Sequence, residues 1–304
     1  MGAAMKRNTQ VNGNMIGILG GVILSTDSVF IRMMNIPDSW TIVALRGVFM
    51  WAVCLLVWAF WGRSRSTLGQ PWLTKDNALA TLFFCIASAC FVNALNRGNV
   101  ATVLVIISST PFISALISRV FFHIKSDRSV MIAALAGVAG VIIVMSGRTE
   151  GHHALANAFA LATAVSMALA FIFASRIKGG TVGLPSLGGL LASLVIALLM
   201  GPELGENLKT LSFAQYGWSL AEGALIMPLA MGLITLSTRY VSPANAGLFL
   251  LLETALAPLW MALFLDEMPT IQAVIGGATI VAAVILQTLH ARAQVDPARY
   301  ADAG

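Results

Sequence analysis

Charge is what this chain has least of. Asp, Glu, Lys and Arg make up 10% of its 304 residues, against about 25% in a soluble domain. With 58% hydrophobic residues, soluble and intrinsically disordered classes are both excluded. Cysteine is scarce too: Cys54, Cys85 and Cys90 lie inside apolar runs with no CxxC spacing, which reads as buried free thiols rather than disulfides or a metal site. None of the four histidines falls in the middle of an apolar run, and GxSxG, HExxH and the Walker A loop are all missing. Those absences argue against an intramembrane enzyme and against an ATP-driven pump. No cofactor or metal is expected. The net charge of +5 is spread between apolar runs instead of along one face, so it is no nucleic-acid footprint.

What the chain does have is long apolar runs. A helix needs about 20 apolar residues to cross a bilayer. On that ruler ten spans are predicted, near 15–34, 39–61, 76–96, 100–122, 129–147, 154–176, 184–201, 214–237, 244–265 and 270–291. The fold class is therefore an all-α polytopic membrane protein. Lys6 and Arg7 precede the first run in the manner of a signal peptide, but the run continues to Met34 with no A-x-A site, so an uncleaved first helix is expected. Very short connections, Asn35–Asp38, Arg97–Asn99 and Asp266–Pro269, make their flanking helices antiparallel neighbours.

Basic residues set the orientation. With the N-terminus inside, thirteen of them, Lys6, Arg7, Arg63, Arg65, Lys75, Arg119, Lys125, Arg128, Arg176, Lys178, Arg239, Arg292 and Arg299, fall on the cytoplasmic side. Four, Arg32, Arg97, Arg148 and Lys209, fall on the other, and Arg46 lies within a span. This bias places both termini in the cytoplasm and the protein in the inner or plasma membrane.

A weak internal repeat is visible. A shift of 143 residues lays ANAGLFLLLETAL over ATVLVIISSTPFI, with Glu253 on Thr110, and Gly276 answers Gly137 after a four-residue change in loop length. The halves are then 1–150 and 151–295, followed by a cytoplasmic tail, 296–304. Five spans is an odd number, so the second half is inverted relative to the first. Such inverted repeats characterise secondary transporters, whose substrate sites lie near the midplane between them.

Three acids lie within spans: Asp27, Glu222 and Glu253. A charge at a helix centre costs at least ~2.5–3.5 kcal/mol in hydrocarbon and is a functional hypothesis by default. Asp27 lies about nine residues before the centre of the 35–38 turn and Arg46 about nine after it. At 1.5 Å per residue both sit roughly 13–14 Å from the turn, near the midplane of a ~30 Å core, and ion pairing is expected. The pair is either a static strut or one that opens to accept a proton or a zwitterion. Glu253 reaches a similar depth and suits a proton relay, or is a hydrogen-bonded packing acid. Glu222 is expected nearer the outer end, in a vestibule or interface. Asn93, Asn96 and Asn245 are candidate wall or gate residues. Trp51 is a candidate wall aromatic alongside Trp58, Trp218, Trp260 and Phe30. Gly17-x-x-x-Gly21 is read as a close-packing motif.

Taken in order, the Ser25–Phe30 segment, Ala44-Leu45-Arg46-Gly47, Ser166-Met167-Ala168-Leu169 and Leu251-Leu252-Glu253, with Glu267 fourteen residues on and then Gly276, resemble the EamA-type branch of the drug/metabolite transporter superfamily over nearly the whole length. The resemblance implies a ten-helix carrier for small organic metabolites working by alternating access. It departs from the family pattern in two places: Thr254 follows Glu253 where the family has Pro, and His123-Ile124-Lys125-Ser126-Asp127 stands where the first half has an acid matching Glu267. The expected partners are a small-molecule substrate such as an amino acid or related compound, the lipid bilayer, and protons as a coupling ion, with the protein a monomer or homodimer. An uncoupled facilitator or exchanger, a multidrug efflux carrier, and a channel or scramblase stay open as alternatives.

Overall fold

The computed structural model describes residues 2–61, 74–98, 100–122, 128–145, 154–177, 181–265 and 271–293. The knuckle at 266–269, the 123–127 stretch, His152, His153 and the 296–304 tail lie outside the described residues. Among the described residues the secondary structure is helical throughout. The helices are α1 (Gly2–Leu24), α2 (Asp27–Met34), α3 (Ser39–Trp61), α4 (Lys75–Arg97), α5 (Val100–Ser108), α6 (Thr110–Phe121), α7 (Arg128–Met145), α8 (Ala154–Arg176), α9 (Leu184–Thr210), α10 (Phe213–Ala221), α11 (Met227–Ser237), α12 (Pro243–Leu265) and α13 (Ile271–Ala293).

Seven helical stretches are long and apolar enough to cross a bilayer: Asn12–Met34, Ser39–Phe60, Lys75–Arg97, Ala154–Arg176, Leu184–Thr210, Phe213–Ser237 and Pro243–Phe264. Ile106–Phe121 and Val274–Leu286 are shorter apolar helices. The outer surface carries large apolar side chains, with Phe60 84% and Leu198 85% exposed, while Asp27, Asn93 and Glu222 are wholly buried. Apolar outside and polar inside is the pattern of a protein dissolved in lipid.

Three expected spans are less regular than their hydropathy suggests. The first breaks between α1 and α2, where Ser25 Oγ donates to the Val22 carbonyl at 2.6 Å and Thr26 Oγ1 to that of Ile23 at 2.8 Å. Hydroxyls bonded back to the preceding turn compete with the helical ladder. The fourth breaks between α5 and α6, just ahead of Pro111, and Ser109 Oγ and Thr110 Oγ1 each take a carbonyl three residues back at 2.6 Å. The seventh runs on to Thr210 with a kink at Met200 (φ −127°, ψ 23°) two residues before Pro202, whose ring clashes with the preceding turn.

Packing pairs α4 with α8, α3 with α9, α13 with α7, α1 with α11 and α12 with α6. The crossing of α3 and α9 is backbone on backbone. A Cβ on Gly47 would stand 2.1 Å from the Gly189 carbonyl oxygen, and Ser193 Oγ donates to the Ala44 carbonyl at 2.9 Å. Gly17 and Gly21 do pack closely, α1 lying against Phe249 and Leu252 of α12. Apolar cores gather around Phe171, Ile234 and Phe249, around Val43, Val92 and Val103, and around Leu248, Leu251 and Ile280. The first two flank the polar centre described next.

A buried charge cluster as candidate functional site

The 35–38 turn sets the depth of the cluster. Asn35 ends α2 in the left-handed conformation (φ 46°), its N–H donating to the Arg32 carbonyl, a conformation asparagine tolerates. Asp38 then opens α3: it accepts from the N–H groups of Trp40 at 3.3 Å and Thr41 at 2.8 Å, and from Thr41 Oγ1 at 2.6 Å. Helices α2 and α3 therefore run antiparallel from a short turn, and Asp27 and Arg46 come to one depth. Arg46 Nη2 donates to Asp27 Oδ2 at 3.0 Å. The Ser25–Thr26 break leaves Asp27 in the first turn of α2, where the positive end of the helix dipole favours a carboxylate.

The guanidinium serves more than this pair. Its Nε lies 3.0 Å from Glu222 Oε1, its Nη2 also donates to Met227 Sδ at 2.6 Å, and its Cζ stands 5.8 Å from the Phe91 ring centroid. Glu222, expected near the outer end, is instead fully buried against Arg46. The depth ruler applied to Asp27 and Arg46 places it there too: Glu222 is nine residues past Phe213, again roughly 13–14 Å along a helix.

What aims Glu222 is a π-helical turn, Glu222–Ile226, closed by the Met227 N–H to the Glu222 carbonyl. Pro228 follows. Having no N–H, and clashing with the carbonyl four residues back in a regular helix, it favours a widened turn there. Gly223 lets this turn lie on α3, since a Cβ would come within 3.0–3.2 Å of Phe49 Cβ and the Arg46 backbone. Sequence reading missed both the turn and Met227; the Pro228 signal alone could have suggested the former.

Glu253, 5% exposed on α12, lies near enough to interact electrostatically with Asp27 and Arg46. Asp27 Oδ1, Arg46 Nη1, Glu222 Oε2 and Glu253 Oε1 are buried without a hydrogen-bond partner among the described residues. A cavity of about 40 Å³ borders Arg46, walled by Met50, Phe84, Phe91, Met167 and Met231, with Met227 at its edge. A buried water needs roughly 10–15 Å³. As it stands the cavity has room for a few waters, and a metabolite requires it to widen.

The remaining candidates lie elsewhere. Asn93 is buried near the 35–38 turn and accepts from Ser39 Oγ at 3.1 Å and Arg97 Nε at 3.3 Å. Asn96 donates to the Pro37 carbonyl at 2.9 Å. Gln215 donates to the Asn35 carbonyl at 2.9 Å and Asn207 to Asp38 Oδ2 at 3.3 Å, so α4, α9 and α10 all hold the turn. At the opposite end Arg176 pairs with Asp76 at 3.4 Å and lies 5.0 Å over the Phe122 ring. Asn245 meets Asn14 at 3.5 Å. Trp51 is half-buried and outside the cavity wall. Trp260 Nε1 donates to Ser25 Oγ at 2.7 Å, bracing the break ahead of Asp27, and Trp218 packs edge-on to Phe30.

Residues 11–146 match the EamA-like transporter family, so the resemblance carried by the first two spans is borne out over that stretch. The chain is also 24% identical over 185 residues to the uncharacterized transporter YdfC of Bacillus subtilis (strain 168), an alignment covering 59% of each chain. It thus spans about three-fifths of the length of that curated relative. A crystal structure of a protein 18% identical in sequence superposes with a TM-score of 0.75, covering 92% of this chain and 98% of that one, a likeness of fold alone.

Proposed function

We propose that this membrane protein is an EamA-type transporter, a secondary-active carrier that exports a small organic metabolite, such as an amino acid or related compound, by alternating access. The observation that carries the reading is the buried Asp27–Arg46–Glu222 cluster beside a cavity between helices. Ion pairs are costly in such surroundings, and a midplane polar site is where carriers of this kind bind their cargo.

In this reading the chain has ten spans in two inverted halves, 1–150 and 151–295, with both termini cytoplasmic. The helix packing supports the two halves. If each span is exchanged with the one five places on, the α4–α8 contact becomes α11–α1, and the α3–α9, α6–α12 and α7–α13 contacts map onto themselves. The small size of the cavity supports a carrier over an open channel. Asp27 and Arg46 are the proposed substrate groups, Glu222 their partner, and Glu253 the proposed proton site.

Counterflow in proteoliposomes tests this. Trans-stimulated, saturable exchange of a labelled amino acid or amine is expected, and linear flux without trans-stimulation would point to a pore. Uphill accumulation driven by a pH gradient identifies proton coupling; saturable exchange indifferent to pH identifies a facilitator.

A further inference from the structure

The polar centre has more acceptors than donors. Asp27, Glu222 and Glu253 surround one guanidinium, whose Nη2 and Nε already face Asp27 and Glu222. Asp27 Oδ1, Glu222 Oε2 and Glu253 Oε1 still have no donor among the described residues, against one unpartnered guanidinium nitrogen, Arg46 Nη1, and each of these side chains is at least nine-tenths buried. A buried carboxylate oxygen left without a donor is destabilising. A ligand carboxylate would add another anion to the same cation. A protonated amine brings a positive charge and up to three N–H donors, and so corrects both the charge and the hydrogen-bond imbalance. Among the described residues no group of three His, Cys, Asp or Glu is placed to chelate a metal ion; an organic cation answers both the charge and the donor count.

The cavity supplies the other half of the specificity. Apart from Arg46 and Ser88 its wall is apolar, with Met50, Phe84, Phe91, Met167 and Met231 the large side chains. Thioethers adapt to varied apolar shapes, and aromatic faces tolerate a cation on its way past. Met227 borders the cavity and also caps Arg46 Nη2, the nitrogen that faces Asp27.

We propose that the cargo's obligatory handle is a protonated amine on an apolar body, the amine reaching Asp27, Glu222 and Glu253 when the Met227 side chain swings aside. This deepens the carrier reading and rests on it. A carboxylate on the cargo is dispensable, so simple amines are ligands as well as amino acids.

Three probes with one body separate the possibilities: 2-phenylethylamine, 3-phenylpropionate and 2-phenylethanol. Each is titrated against the full-length protein in nanodiscs by tryptophan fluorescence, with empty nanodiscs as control, and each is tested in counterflow. The amine is expected to bind at least tenfold tighter than the other two, and Met227→Ala to tighten amine binding severalfold while keeping the order. Asp27→Asn is expected to weaken amine binding at least tenfold; because that variant could misfold, the Met227 variant and the probe order carry the test independently. Equal or tighter binding of phenylpropionate overturns the proposal, as does no binding of any probe to protein that melts cooperatively. An unchanged amine affinity in Met227→Ala overturns the assignment of Met227. If phenylpropionate is exchanged and the amine is not, the carrier reading stands and the amine handle falls. If the amine binds with the expected preference and nothing is exchanged, the reverse holds.

Discussion

Substituting Glu222 by Gln keeps its shape and removes one charge from the 3.0 Å contact with Arg46. At an effective dielectric of about 20, two unit charges at that separation attract by about 5 kcal/mol. Desolvation opposes this, and close charge pairs in other proteins couple by about 1.5–7 kcal/mol in double-mutant cycles. A cycle of Glu222→Gln, Arg46→Met and the double variant should therefore give a coupling of at least ~2 kcal/mol. Each single variant strands a buried partner, so each should destabilise by about 3–5 kcal/mol, whereas the double variant should recover part of that loss. The measurement is reversible unfolding in mixed micelles, followed by far-UV circular dichroism. A coupling below ~0.5 kcal/mol, the additivity expected of independent sites, would mean that Glu222 does not engage Arg46 and that the π-helical turn does not aim it inward.

Gly47→Leu should prevent close approach of α3 and α9, where even a Cβ meets the Gly189 carbonyl oxygen at 2.1 Å. Its loss should exceed the ~1–3 kcal/mol usual for overpacking and appear as missing monomer in size-exclusion profiles, while Gly183→Ala, with nothing within 4 Å, should be near neutral. Asn96→Ala and Gln215→Ala each remove one hydrogen bond to the 35–38 turn, worth about 1 kcal/mol. In a background with Cys54, Cys85 and Cys90 changed to Ser, together they should speed thiol labelling of Met50→Cys by a membrane-impermeant reagent. Glu253→Gln should retain counterflow but lose accumulation driven by a pH gradient; accumulation at the parental level removes Glu253 as the coupling site.

The membrane class was legible because hydropathy is a sum over twenty residues and tolerates local errors. The proximity of Asp27 and Arg46 was legible for a simpler reason: one tight turn and a fixed rise per residue determine their depth. Glu222 was named as a candidate, but its contact with Arg46 was not read although its depth is given by the same ruler, because depth says nothing about direction around a helix. That direction depends on a backbone irregularity whose only trace is Pro228. The break at Ser25–Thr26 was equally hidden, since serine and threonine sit comfortably in membrane helices until their hydroxyls bond backwards. The cavity wall was invisible because it is assembled from α3, α4, α8, α9 and α11, far apart in sequence.

Glu222 and Met227 touch the same guanidinium although they are five residues apart on one continuous rod. At about 100° per residue, five α-helical steps leave two side chains roughly 140° out of phase, on different faces. The i→i+5 ring overcomes this by stacking the fifth residue above the first. The chain therefore carries one residue of excess winding at 222–226, and that surplus alone lets an acid and a thioether share a partner. Were the same residues wound as a regular α-helix, the two side chains would part: with Met227 held in place, the carboxylate would turn away from Arg46, and with Glu222 held, the thioether would.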